Sequence, residues 1–100
     1  MREVEAIATL KDEWQPVALY HVARGLRWQV RAVLHRWTHP GWPGKTYNKP
    51  VVEKRYRLRV FGPLPGRPGQ HGEFVMIATS YGNRDRWWIR PEDPGLGTAR

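Results

Sequence analysis

In three stretches of this chain, within 2–10, 26–31 and 55–60, apolar and polar residues alternate, the pattern of strands with one buried face. In segment 2–10, Val4, Ala6, Ala8 and Leu10 fall on one face and Glu3 and Glu5 on the other, with Ile7 the exception. A first strand is expected there. Residues 11–16 are polar and close with Pro16, so they read as a turn, with Trp14 as a lid over one end of the core. A second strand is expected over 17–24. Arg24-Gly25 then makes a tight connection, because glycine adopts φ > 0 without steric cost.

Segment 25–37 carries two conflicting patterns. Leu26, Trp28 and Val30 alternate with Arg27, Gln29 and Arg31 as in a strand. Leu26, Val30, Val33, Leu34 and Trp37 also form one helical stripe. A continuous strand needs its inward set to change from Leu26, Trp28 and Val30 to Val33, His35 and Trp37. A β-bulge near Arg31-Ala32 would produce that change, and so would a short helix starting near Arg31. The bulged strand is the favoured reading, since the preceding strand and Gly25 ask for a partner.

Residues 39–50 are crowded with proline and glycine, so no continuous strand passes through them. Segment 51–62 has the cleanest alternation, with Tyr56, Leu58 and Val60 against Arg55, Arg57 and Arg59. Residues 62–72 form a second punctuated loop. The almost unbroken apolar run 74–81 marks a strand covered on both faces. Gly82-Asn83 turns the chain into a short closing strand over 86–90, and the tail 93–100 has little to bury. These elements predict one domain over 1–92 with a frayed tail. Its class is all-β, or β with one short helix: a small antiparallel SH3-like barrel or a strongly curved sheet of about six strands.

Composition adds a charge argument. Seventeen Lys and Arg, mostly Arg, face nine acids for a net charge of +8 over 100 residues. Such a field favours polyanions, nucleic acid foremost. There is no cysteine, hence no disulfide or thiolate metal site. No apolar run approaches the roughly 18 residues of a membrane span, and segment 1–10 lacks a secretory h-region. Cytoplasm is the expected compartment, with no membrane partner.

Catalytic patterns are lacking: there is no GxSxG, Walker loop or nucleophilic cysteine. His35 and His39 have the i, i+4 spacing of a helical metal pair, but no HExxH glutamate accompanies them and Pro40-Gly41 follows. The expectation is a binding module, not an enzyme, with no metal or cofactor. Its surface would join Arg27 and Arg31 of the third strand to Arg55, Arg57 and Arg59 of the fourth. A row of like charges calls for an external anion or nearby acids, and Glu53 and Glu73 are the candidates. The planar fork of arginine suits phosphate. Trp42, Tyr47 and Trp88 add rings for base stacking; Trp87 and Trp88 are adjacent, so one must face outward. The expected partner is nucleic acid, with an acidic protein bound through the same face and exposed Trp residues as the alternative.

Four motifs carry a resemblance: Gly25-x-x-Trp28-x-Val30, then 32–37 (AVLHRW), then Tyr56-x-Leu58-x-Val60, then 86–89 (RWWI). Together they resemble a small bacterial domain of unknown function, found alone or fused to the C-terminus of Y-family repair polymerase homologues. The resemblance spans roughly residues 16–92. It departs at Trp42-Pro43, where the family has a paired Trp, at Arg59, and in the longer loop 62–72. It implies a DNA-repair context without a proven activity, and a protein partner in a repair complex belongs to the same expectation.

Overall fold

The computed structural model describes residues 3–11, 14–39, 53–82 and 84–92. Six antiparallel strands follow one another around a closed barrel: β1 (Val4–Lys11), β2 (Gln15–His21), β3 (Leu26–His39), β4 (Glu53–Pro63), β5 (His71–Ser80) and β6 (Trp87–Pro91). Each strand pairs with the next in sequence, and β6 returns to β1 through Val4–Ile89, Glu5–Trp88 and Ala6–Trp87. Closure leaves no free sheet edge, a stable solution for strands with one apolar face each.

The inward positions are those the alternation marks. Ala6, Leu19, Trp28, Tyr56, Leu58, Val60, Met76, Ala78, Trp87 and Ile89 form the buried cluster, with Val4, Ala8, Leu10, Trp14, Leu26, Val30, Val33 and Phe74 packed against it. Ile7 faces solvent, the exception in β1. In β5 the five consecutive residues Met76 to Ser80 are all buried, as the apolar run predicts. On its outer side Ile77 lies between Arg57 and Arg90, and Thr79 between Arg55 and Trp88. Long side-chain stems can cover such positions while their charged heads stay wet.

Boundaries shift where turn chemistry differs from expectation. Gly25 has φ 66° and its N–H donates to Val22 O at 3.2 Å, so Val22–Arg24 is a single 3-10 turn and not the end of β2. Pro16, expected to close a turn, is buried inside β2 opposite Leu10, beside a register shift that leaves Val17 unpaired with β1. A bulge tolerates proline because the ladder is already interrupted there. Trp14, at φ 64°, takes the left-handed position before β2 and packs against the core as a lid.

Residues 31–37 are strand, not helix. The register passes from Val30–Val60 to Ala32–Arg59, so Arg31 is the extra residue of a bulge at the expected place. It then passes from Val33–Leu58 to His35–Arg57, so Leu34 is the extra residue of a second bulge. Two bulges reverse the facing twice. Val33 is inward as expected, but His35 and Trp37 lie opposite Arg57 and Arg55, on the outer face, which corrects the inward set assigned to them.

At Gly62, β4 passes close against β3. A Cβ there would lie 2.6 Å from both Arg27 O and Trp28 Cδ1. The Trp28 indole N–H donates to Pro63 O at 2.8 Å, fixing the ring against this bare stretch of backbone. The loop after β4 is internally bonded, with Leu64 N–H to Gln70 O at 2.8 Å and Gln70 N–H to Arg67 O at 3.1 Å. The expected loop 39–50 and tail 93–100 lie outside the described residues.

Candidate nucleic-acid interface

Strand alternation puts Arg55, Arg57, Arg59 and Phe61 in one line on the outside of β4, because Tyr56, Leu58 and Val60 occupy the interior. The β3 partners of these outward residues complete the surface: Trp37 opposite Arg55, His35 opposite Arg57, Ala32 opposite Arg59 and Gln29 opposite Phe61. His35 and Trp37 contact each other, with ring centroids 4.3 Å apart and planes tilted by 58°. The bulge at Arg31 leaves its guanidinium over the Phe61 ring, 5.1 Å from the centroid. Arg27 lies two residues beyond Gln29 and opposite Tyr20 of β2. All five expected arginines therefore have outward positions on β3 and β4.

They are not equivalent. Arg57 donates from Nε and Nη2 to both oxygens of Glu92, at 2.7 to 2.9 Å. The hydrogen bond and charge of Glu92 raise the Arg57 pKa, and the same hydrogen bond is the main cause that lowers Glu92. Arg55 bridges to Glu53 at 3.1 Å, and its Nε is buried without a hydrogen-bond partner among the described residues. Glu53 thus neutralises part of the row, as expected. Glu73, the other expected acid, sits opposite Phe61 and makes no ion pair among the described residues. Arg27, Arg31 and Arg59 likewise have no carboxylate partner among the described residues, and all three are exposed. The Tyr81 hydroxyl, near this end of β4, is raised by burial first and then by Glu3 and Glu53, against the opposing charge of Arg55.

Of the expected rings, Trp88 is the outward member of its pair, half-buried between Thr79 and Glu5, while Trp87 is fully buried. Trp42 and Tyr47 lie outside the described residues. The sequence did not point to His35, Trp37 or Phe61 as surface rings, nor to Glu92 as the partner of Arg57. Of these only Phe61 left a signal that could have found it, since it continues the outward series of Arg55, Arg57 and Arg59 by two residues. His35 and His39 lie on one extended strand, so their backbones are about 13 Å apart and not at the one-turn helical spacing of such a metal pair. Among the described residues no three His, Cys, Asp or Glu gather as metal ligands, and no helix is long and apolar enough to cross a membrane.

No family model, no curated protein and no solved structure matches the chain.

Proposed function

We propose that this barrel is a non-catalytic module that binds nucleic acid through the outer face of β3 and β4. The observation that carries the reading is the trio Arg27, Arg31 and Arg59, which has no acid partner among the described residues and stands beside exposed rings. Unneutralised arginines on a solvated face carry unfavourable mutual repulsion, which an external phosphate backbone relieves. Rings interleaved with such charges supply the sequence-tolerant stacking that single strands use. The net charge of +8 adds long-range attraction. Kinship with SH3-like barrels, a DNA-repair setting and a cytoplasmic location belong to the same proposal and rest on the sequence alone.

Fluorescence anisotropy with labelled single- and double-stranded oligonucleotides at several salt concentrations tests it. Three phosphate contacts to a single strand, at roughly 0.7 each, give a log–log salt slope of about −2. Absence of binding at low salt overturns the reading and leaves the acidic-protein alternative.

A further inference from the structure

Phe61 is anomalous in its strand. It follows three arginines on the outside of β4 and is 38 % exposed, although an apolar ring gains nothing from solvent there. Three features converge on it. Arg31 stands over the ring at 5.1 Å. Gln29 is its direct partner on β3. The ring also opens onto a surface concavity of about 540 Å³, shared with Val17, Arg27, Gln29, Gly62 and His71.

This set matches the parts of a nucleotide. A base offers a π-face, for which Phe61 and the Arg31 guanidinium form a stacking platform. A base edge offers mixed donors and acceptors, and the Gln29 amide has both. The flanking phosphates are anionic, and Arg27 and Arg31 are free of carboxylate partners among the described residues. The Glu73 carboxylate, opposite Phe61 on β5, accepts hydrogen bonds only and so favours an exocyclic amino group over a phosphate near it. An acidic peptide would satisfy the arginines but would leave the ring and the amide without a role. Duplex nucleic acid keeps its base faces stacked, so the fitting occupant is unpaired.

We infer that the Phe61 concavity is a subsite for one unpaired nucleobase of a single strand, stacked on Phe61, with Gln29 at its edge and Arg27 and Arg31 on the neighbouring phosphates. The inference rests on the nucleic-acid reading above. The whole chain, as wild type, Phe61→Leu, Phe61→Ala and Arg59→Glu, is titrated with an oligodeoxycytidylate, whose bases carry an exocyclic amino group, and with an abasic strand of equal length and charge. Thermal melts of each variant confirm that it is folded. Wild type is expected to prefer the base-bearing strand by on the order of 10-fold or more. Phe61→Leu keeps the bulk and loses the π-face, so it lowers that preference by roughly 5-fold or more while leaving abasic binding unchanged. Arg59→Glu weakens both strands alike. A preference undiminished in both Phe61 variants, or equal binding of the two strands by wild type, overturns the subsite alone. Failure of wild type to bind either strand at low salt overturns the wider reading as well.

Discussion

Arg57 grips Glu92 with two nitrogens, Nε at 2.8 and 2.9 Å and Nη2 at 2.7 Å, across a sequence separation of 35 residues. The Glu92 N–H also donates to Val75 O at 2.8 Å, so the chain after β6 is pinned to the outside of β5. The contact thus ties down the end of the last strand and takes one arginine out of the free set. Glu92→Gln keeps the shape and removes the negative charge. Arg57 then becomes available to phosphate, and the salt slope for a single strand is expected to steepen by about 0.7. Anisotropy titrations of the variant beside wild type measure it; an unchanged slope means that Arg57 lies off the path of the strand.

Charge reversal discriminates the free arginines from the engaged ones. Arg31→Glu with Arg59→Glu removes two contacts and is expected to flatten the single-strand salt slope by about 1.4. Neither residue has a carboxylate partner among the described residues, so thermal stability should hold. Arg57→Glu instead sets two carboxylates against each other at Glu92 and is expected to lower the melting temperature. Circular dichroism melts of the two variants, run beside the titrations, separate lost binding from lost folding.

Gly62 is where β3 and β4 leave no room for a side chain. Gly62→Ala would drive a methyl to within 2.6 Å of Arg27 O and Trp28 Cδ1. Trp28 cannot easily yield, because its indole is fully engaged in the core and donates to Pro63 O. Overpacking of this kind costs about 1–3 kcal/mol, which for a domain of this size corresponds to a fall in melting temperature of roughly 4–24 °C. Differential scanning calorimetry reads it directly.

The barrel was legible because period-2 alternation survives in β1 and β4, and because the unbroken run in β5 signals cover on both faces. The first bulge was legible too, since the inward positions change from the even-numbered Leu26, Trp28 and Val30 to the odd-numbered Val33. The second was not: Val33 and Leu34 are both apolar, so nothing in the text says which of them is the extra residue. That single ambiguity moved His35 and Trp37 from the interior to the outer face. The Arg57–Glu92 pair was hidden for a different reason. Glu92 follows Pro91 in a turn-like setting where an acid is ordinary, and only the pairing of β6 on β5 and of β5 on β4 brings it to Arg57.

The placement of His35 and Trp37 can be tested by its consequence for binding. If the pair is an outer stacking surface, Trp37→Ala removes a ring contact with a base, worth about 1–3 kcal/mol, and weakens single-strand binding by on the order of 10-fold. The salt slope stays the same, because no phosphate contact is lost. Equal loss on duplex and single strand would instead indicate a change in the fold of the β3–β4 hairpin.

Acid gives the last check on the Arg57–Glu92 contact. The hydrogen bond from Arg57 holds the Glu92 carboxyl below the usual carboxylate range, aided by the charges of Arg57 and Arg90 and opposed by partial burial. A carboxyl whose folded value lies below its unfolded one binds fewer protons in the native state. Its stabilising contribution is therefore complete above the unfolded value, about 4.3, and is lost as pH falls through the lowered folded value. Glu92→Gln does not titrate and lacks that contribution throughout. The gap in melting temperature between wild type and Glu92→Gln is thus expected to be level from about pH 6 to 7 and to close below about pH 4. A gap that stays constant into acid would mean that Glu92 has the same affinity for protons folded and unfolded, and that its grip on Arg57 adds nothing in solution.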